Sequence, residues 1–228
     1  MQAILVGFGE IGRGIAEAYS DKYIEIYDPM SAPVKPSGKF DLLLVAIPYS
    51  DDFVKIVSNY QKEFGVKATV IFSTVPIGTT QKLNAVHSPV EGRHPHLAES
   101  IRYMPRWIGG ENEIVNEFFS DIKTVVVDSP EYTEFLKLQS TTKYGVNIEF
   151  ARYAKGVSDA LGMDFELVKS FDQDYNDLYK HLGLPQFQRY ILDPPEGKIG
   201  GHCVGPNSII LDKQYPNNLV KEVKKWAV

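Results

Sequence analysis

The sequence predicts a doubly wound α/β fold, in which helices cover a parallel sheet, followed by a smaller helical domain. Three observations predict it. Short apolar runs that suit buried strands alternate with segments of helical spacing in the first half of the chain. A glycine-rich turn joins the first apolar run to the first helical segment. Beyond residue 130 the strand pattern stops, and we expect helices and irregular chain.

The first predicted strand is Ala3–Val6, an apolar run that suits a strand buried on both faces. A helix is predicted over Glu10–Tyr19, because its apolar residues recur at helical spacing. Further strands are predicted at Tyr23–Tyr27, Asp41–Ile47 and Ala68–Phe72, with a loop over 31–39. Between the last two strands, Ser50 or Asp51 is expected to cap a helix that runs to Phe64 and ends at Gly65.

The next part of the chain predicts a smaller set of elements. Strands are expected at Asn84–His87 and Lys123–Val127, with a helix over Glu111–Ser120 between them. Ser129-Pro130-Glu131 combines a cap, a proline at the first helical position and an acid near the positive end of the helix dipole. The longest helix is therefore expected to begin there and to run to about Gly156.

The remainder is predicted to be largely helical. Helices are expected between Gly162 and Gly183 and over Asn217–Trp226, whereas Gln186–Pro206, which is rich in glycine, is expected to be irregular. We place a domain boundary near residue 130. Residues 1–130 form the predicted dinucleotide-binding domain, and 131–228 form the predicted helical, substrate-binding and dimerisation domain.

The composition excludes several classes of protein. The chain has 228 residues, a net charge of −5 and a sequence pI of about 5.6, which argues against binding to nucleic acid or a membrane surface. No apolar run approaches the ~20 residues of a spanning helix, and the N-terminus shows no signal peptide. Cys203 is the only cysteine, which excludes an intrachain disulfide and favours a reducing compartment. We expect a cytoplasmic protein.

A dinucleotide site is predicted at the turn after the first strand. Gly7-Phe8-Gly9-Glu10-Ile11-Gly12 has the spacing GxGxxG, in which the first glycine permits a tight turn, the second admits a pyrophosphate and the third lets helix and strand pack closely. The free N–H groups of the helix N-terminus favour the phosphates. Asp28 follows Gly9 by 19 residues, near the ~20 expected of an acid that binds the ribose hydroxyls and repels a 2′-phosphate. The sequence therefore favours NAD over NADP in a Rossmann-type domain.

Further motifs follow in a fixed order. Ala46-Ile47-Pro48 ends the third predicted strand, and STVPIGTT (73–80) follows the fourth. Glu134-x-x-Lys137-Leu138 lies early in the long helix, and Gly200-Gly201-His202-Cys203 lies in the glycine-rich segment. In these motifs and their order, over nearly its whole length, the chain resembles the UDP-glucose/GDP-mannose dehydrogenase family, the nucleotide-sugar dehydrogenases.

The resemblance implies an NAD-dependent, four-electron oxidation of a primary alcohol to a carboxylate on a small, sugar-like substrate. Cys203 would attack the intermediate aldehyde, and the thiohemiacetal would give a second hydride to form a thioester. Lys137 would stabilise the oxyanion, while Thr74 and an acid such as Glu91 would position the hydrolytic water. The expected cofactor-lining residues beyond the glycine turn are Ile47, Pro48, Ser73 and Thr74. The resemblance also implies a homodimer formed through the helical domain.

The chain departs from the family pattern in three respects. The family has an Asp four residues after the cysteine and an Asn four residues after the lysine, where this chain has Asn207 and Thr141. Asn207 cannot take a proton, and Thr141 donates a hydrogen bond with a shorter reach. Glu91 lies in a segment whose spacing differs from the family's. The family's C-terminal nucleotide-binding domain is absent, so we expect a truncated member with a smaller substrate, a second chain completing the site, or weak binding.

Two other functions stay open on the residues alone. In a two-electron NAD-linked dehydrogenase or reductase, Cys203 is structural and His87 serves as an acid–base group, because ligands lie beyond the carboxyl ends of parallel strands. The other function is that of a dinucleotide-binding protein that has lost catalysis. Asn207 and Thr141 favour it, because both depart from the family pattern.

Two additional clusters have both a functional and a plainer interpretation. His87, His94 and His96 lie near Glu91 and Glu99 and offer metal ligands, although polar residues are routine in such a loop. Three arginines near Trp107 offer a site for an anionic substrate, although scattered surface arginines are commoner. These arginines are Arg93, Arg102 and Arg106.

Overall fold

The computed structural model describes residues 1–31, 35–92, 95–197 and 203–225. The chain forms two compact units, Met1–Lys137 and Leu138–Val228. The division into functional domains near residue 130 stays a prediction. No helix in the described ranges is long and apolar enough to cross a membrane.

The first unit is built on a sheet of seven strands within its described residues. They are β1 (Ala3–Val6), β2 (Ile24–Tyr27), β3 (Leu42–Val45), β4 (Ala68–Ile71), β5 (Val86–His87), β6 (Arg106–Gly109) and β7 (Thr124–Val127). Their order is β2-β1-β3-β4-β5-β6-β7. β1 to β5 are parallel, β6 is antiparallel to β5, and β7 is parallel to β6. The predicted doubly wound α/β fold is confirmed, with the correction that the last two strands run in the opposite direction.

Helices cover both faces of this sheet. They are α1 (Glu10–Ala18), α2 (Phe53–Phe64), α3 (Leu97–Tyr103), α4 (Glu113–Phe118) and the start of α5 (Pro130–Ala160). Successive strand residues point to opposite faces; Leu5 packs with Ile15 and Phe119 on one face, and Ile4 packs with Phe53 on the other. β1 and β3 are apolar throughout, and β4 is apolar except for Thr69, because both faces of these strands are buried.

Several local predictions are corrected by the structure. Asp52, not Ser50 or Asp51, is the N-cap residue of α2, and its side chain makes no capping hydrogen bond. Gly65 ends α2 in the left-handed conformation, as predicted. The sequence did not predict α3 or β6. α3 is short, and β6 begins with an arginine and ends in glycine, so neither has a clear periodic pattern.

The second unit contains the rest of α5, together with α6 (Phe165–His181), α7 (Val204–Gln214) and α8 (Asn218–Lys224). Ile148, Val204 and Val223 form its buried cluster. Gly145 of α5 permits close packing, because a Cβ there would lie 2.4 Å from a methyl group of Val223. α7 begins inside the segment predicted to be irregular and was not predicted. Its first turn holds Pro206, and the first turn of a helix tolerates proline because backbone N–H groups there have no partner within the helix, so the missing N–H costs no hydrogen bond.

Candidate functional site

The glycine turn after β1 has three glycines in three different situations. Gly7 has φ of +96°, and a Cβ there would lie 2.4 Å from the carbonyl oxygen of Ala46. A Cβ on Gly12 would lie 2.0 Å from the carbonyl oxygen of Gly7. Gly9, the N-cap residue of α1, is exposed, and a Cβ there would meet nothing within 4 Å. Gly7 and Gly12 are therefore required by the packing of the protein itself, whereas Gly9 keeps open space in front of a helix N-terminus.

Asp28 lies beside this turn, one residue beyond β2. Its Oδ2 accepts a hydrogen bond of 2.7 Å from the N–H of Phe8, and its Oδ1 accepts one of 2.9 Å from the N–H of Met30. A carboxylate has about four lone-pair sites, so these two bonds leave capacity for further donors. The structure thus brings together the glycine turn and the predicted ribose-binding acid. Glu10 and Ile11 form the start of α1, directly after Gly9.

The other predicted cofactor-lining residues follow the carboxyl ends of neighbouring strands. β1, β3 and β4 pair in parallel with Val6 opposite Val45 and Val45 opposite Ile71, so their carboxyl ends share one edge of the sheet. Beyond β3, Ile47 is half-buried and Pro48 is exposed. Beyond β4 the chain enters the loop 73–80, which we call the β4 loop. Its Ser73 is buried and its Thr74 is half-buried.

Glu134 holds the far end of the β4 loop. Its side chain is fully buried, and its two carboxylate oxygens accept hydrogen bonds from the N–H groups of Gly78 (2.6 Å) and Thr80 (2.8 Å). Burial raises the pKa of this carboxyl, and the donated hydrogen bonds oppose that shift. Sequence reasoning found Glu134 in its motif but gave it no role, since its partners lie more than fifty residues away in the chain.

His87 holds the near end of the β4 loop. It is fully buried at the end of β5, with Nε2 3.2 Å from the carbonyl oxygen of Ser73 and Nδ1 2.9 Å from Oγ1 of Thr133. Burial, with a smaller contribution from the charge of Lys137, lowers the pKa of His87 to about 3. A group with this pKa neither gives nor takes a proton near neutral pH. The structure therefore argues against the alternative in which His87 is the acid–base group.

Two of the predicted catalytic residues contact each other in the first unit. Nζ of Lys137 donates a hydrogen bond of 2.6 Å to the carbonyl oxygen of Val90 and lies 3.4 Å from Oε1 of Glu91. The side chains of Lys137 and Glu91 are 12% and 30% exposed, which leaves this ion pair partly accessible. A cation and a carboxylate fixed side by side can stabilise developing negative charge and orient a water molecule.

Three of the predicted catalytic residues lie in the second unit. Cys203 is exposed at the N-cap position of α7, so packing does not explain it. One turn later, Nδ2 of the buried Asn207 donates a 3.1 Å hydrogen bond to Oγ1 of Thr141, which itself donates to the carbonyl oxygen of Leu138. The two residues that depart from the family pattern are thus hydrogen-bonded to each other. Gly200, Gly201 and His202 lie outside the described residues.

The two additional clusters have structural roles where they are described. His96 pairs with Glu99 at 3.0 Å on the surface, and His94 and Arg93 lie outside the described residues. Within the described ranges, no group of three or more His, Cys, Asp or Glu side chains is placed to hold a metal ion. Arg106 fits neither the anion-site nor the surface interpretation, because it is buried and its guanidinium donates to the carbonyl oxygens of Pro89 and Ile101 at 2.8 and 3.2 Å.

Solved dehydrogenase structures share this fold. The match to the UDP-D-ManNAc dehydrogenase of Pyrococcus horikoshii covers 100% of this chain and 68% of that protein, with a TM-score of 0.77 and 17% identity. The match to the UDP-N-acetyl-mannosamine dehydrogenase Cap5O of Staphylococcus aureus covers 100% of this chain and 67% of that protein, with a TM-score of 0.75 and 16% identity. The match to the 3-hydroxyisobutyrate dehydrogenase of Mycobacterium tuberculosis covers 99% of this chain and 92% of that protein, with a TM-score of 0.69 and 13% identity.

No protein-family model and no curated protein matches the sequence. At these identities the similarity to solved structures shows the fold alone. The chain spans about two thirds of the two UDP-sugar dehydrogenases.

Proposed function

We propose that this chain is an NAD-linked dehydrogenase that oxidises a primary alcohol of a small, sugar-like substrate. One observation carries the proposal: the open space at Gly9, in front of the α1 N-terminus and flanked by two glycines that the protein needs for its own packing. A side chain at Gly9 would occupy the path of a pyrophosphate, and its absence there fits a bound dinucleotide. The free N–H groups of α1 supply the partial positive charge that phosphates require.

The residues at this edge of the sheet fit NAD in both of its halves. Residues 7–12 would hold the pyrophosphate, and Asp28 would accept hydrogen bonds from the adenosine ribose. The negative charge of Asp28 disfavours the 2′-phosphate of NADP, which is why we propose NAD. Beyond β3 and β4, Ile47, Pro48, Ser73 and Thr74 would line the nicotinamide half. When bound, NAD supplies the hydride acceptor.

The substrate chemistry that we propose follows the nucleotide-sugar dehydrogenase pattern. Lys137 would stabilise the oxyanion, and its ion-pair partner Glu91 would orient the hydrolytic water together with Thr74. Cys203, whose thiol is exposed, would be the nucleophile that adds to the aldehyde. Asn207 and Thr141 would act by hydrogen bonds without exchanging protons, because neither ionises near neutral pH.

A second candidate is a two-electron dehydrogenase of a hydroxy acid or similar small alcohol. The similarity to the 3-hydroxyisobutyrate dehydrogenase favours it, because that match covers nearly all of both chains. In this case Lys137 and Glu91 carry the polar chemistry and Cys203 takes no part. A binding protein without catalysis is the third, and the neutral pair of Asn207 and Thr141 favours it.

We also propose a homodimer formed through the second unit. α5 exposes Phe150 and Tyr153, each 68% exposed, and α6 exposes Leu167 at 69% and Phe171 at 68%. Within each helix these pairs are three or four residues apart, so each helix presents an apolar stripe. Large exposed apolar patches on soluble proteins mark interfaces. A second copy of this chain fits such a surface, since like stripes pair in a two-fold interface.

The product stoichiometry tests the proposed reaction. The full-length protein is incubated with NAD and a panel of sugar nucleotides, free sugars and hydroxy acids, and NADH is measured per substrate consumed. Two equivalents of NADH per alcohol, reduced to none or one by Cys203→Ser, support the four-electron reaction. One equivalent that Cys203→Ser leaves unchanged supports the two-electron candidate. NAD binding without turnover on any substrate contradicts both.

A further inference from the structure

We infer that Thr133, Glu134 and His87 are positioning residues that fix both ends of the β4 loop and so set the binding site for the nicotinamide half of the cofactor. The inference rests on the proposed function. It assigns a purpose to three side chains that neither bind the cofactor nor react. We call this set of contacts the α5 brace.

The near end of the β4 loop is fixed through an imidazole in one defined tautomer. The carbonyl oxygen of Ser73 only accepts, so Nε2 of His87 carries the hydrogen and donates to it. Because the ring is neutral, Nδ1 is left as an acceptor, 2.9 Å from Oγ1 of Thr133. The same hydroxyl also lies within donating distance of the carbonyl oxygens of Pro130 (3.0 Å) and His87 (3.3 Å). The contacts therefore link Oγ1 of Thr133 through the ring to the carbonyl oxygen of Ser73.

The far end of the β4 loop is fixed by the adjacent helix residue. Glu134 accepts from the N–H groups of Gly78 and Thr80, and both Thr133 and Glu134 are fully buried. Consecutive residues of one helix thus hold a single loop at positions 73, 78 and 80. Hydrogen bonds to buried polar groups are costly to lose, so the loop has little freedom to move away from α5.

Gly109 supports the brace from the sheet. It lies opposite His87 in the pairing of β5 and β6. A Cβ at this position would lie 2.3 Å from Oγ1 of Thr133 and 2.6 Å from Cα of Pro130. The missing side chain lets the first turn of α5 approach the end of β5 closely enough for Thr133 to reach the imidazole.

The position of the β4 loop in the sheet determines which half of the cofactor the α5 brace affects. The strand order β2-β1-β3-β4 places Asp28 on one side of the glycine turn and the β4 loop on the other. A dinucleotide whose pyrophosphate lies at β1 and whose adenosine lies over β2 extends its other half toward β3 and β4. β4 is two strand spacings from β1, about 10 Å. The brace should therefore affect the nicotinamide half and leave the adenosine half unaffected.

Comparison of two ligands tests this separation. NADH and ADP-ribose share the adenosine diphosphate half, and only NADH carries the nicotinamide. Their affinities are measured calorimetrically for the full chain and for Thr133→Val and Glu134→Gln. Thr142→Val is the matched control, because it is a buried threonine of the same helix whose hydroxyl has no partner among the described residues. Near-UV circular dichroism confirms that each variant is folded.

We expect Thr133→Val and Glu134→Gln to bind NADH about tenfold more weakly and ADP-ribose within about twofold of the wild type, a difference of roughly 1.4 kcal/mol between the ligands. Thr142→Val should match the wild type for both ligands. Should Thr133→Val fail to fold, Glu134→Gln decides, because it keeps the side-chain shape.

Unchanged NADH affinity in the brace variants would overturn the inference, and so would an equal loss for both ligands, which indicates general structural damage. Both results leave the proposed function standing, because the wild type still binds NADH. If the wild type binds neither ligand, the proposed function fails first and the inference fails with it.

Discussion

The buried imidazole of His87 makes the stability of the fold depend on pH in a way that His87→Gln removes. In the folded chain the pKa of His87 is about 3, whereas an unfolded chain has a histidine pKa of about 6.5. Below pH 6.5 the unfolded state therefore binds a proton that the folded state does not. The contribution of His87 to stability is complete above pH 6.5 and is lost as the pH falls toward 3.

The size of the effect follows from the two pKa values. The full slope in this window is about 1.4 kcal/mol per pH unit, but at pH 6.5 the unfolded histidine is already half protonated, so lowering the pH from 6.5 to 4.5 costs the wild type about 2 kcal/mol through this one group. His87→Gln has no imidazole to titrate, and its amide can still donate to the carbonyl oxygen of Ser73. The difference in unfolding free energy between wild type and variant should therefore shrink by about 2 kcal/mol between pH 6.5 and pH 4.5.

Urea denaturation followed by far-UV circular dichroism, at half-unit intervals from pH 7 to pH 4.5, measures this difference. Taking the difference at each pH cancels the titration of all groups that the two proteins share. His96→Gln, which removes an exposed histidine, is the matched control and should follow the wild-type curve. Parallel curves for wild type and His87→Gln would refute the reasoning, because they would mean that the imidazole is protonated equally in both states.

Four further predictions follow from the same contacts. Gly12→Ala should lower the unfolding free energy by about 3 kcal/mol or prevent folding, because its Cβ would meet a carbonyl oxygen at 2.0 Å. Gly9→Ala has open space and a negative φ, so it should change the unfolding free energy by less than about 1 kcal/mol. Urea titrations measure both changes. Asp28→Asn should lower the ratio of NAD to NADP affinity about tenfold in fluorescence titrations, and an unchanged ratio would contradict its role. Phe150→Glu with Phe171→Glu should convert a dimer to a monomer in sedimentation velocity, and a wild-type monomer would contradict the interface. Iodoacetamide should label the chain once, at Cys203, and the labelling rate, measured by mass spectrometry, should fall when NAD is present. A labelling rate that NAD leaves unchanged would argue against a catalytic thiol.

The parts of the fold that could be predicted are those whose signal is local. β1 and β3 are apolar at every position, and β4 at every position except Thr69, because these strands are buried on both faces. Gly65 and Pro130 mark the ends of helices by their own backbone preferences. β6 could not be predicted in this way. Its first residue, Arg106, is charged yet buried, and its guanidinium donates to the carbonyl oxygens of Pro89 and Ile101.

The direction of β6 and β7 also has no local signal. It depends on how α3 returns the chain to the sheet after β5, and the sequence of a strand does not show whether its neighbour is parallel.

The candidate site divides in the same way. The glycine turn and Asp28 could be predicted because their spacing in the chain reflects one strand–turn–helix unit. The contacts of Glu134 and Thr133 could not, because they join α5 to residues 46 to 56 positions earlier. The short motif around Glu134 was the signal that the sequence carried. Only the fold shows that its carboxylate accepts from the N–H groups of the β4 loop.

The central claim is that the glycine turn and Asp28 hold a dinucleotide, and calorimetric titration with NAD tests it most directly. The account predicts a saturable heat for the wild-type chain that is strongly reduced in Gly9→Val, with the variant still folded by circular dichroism. The absence of any heat from wild-type protein at millimolar NAD or NADH would contradict it.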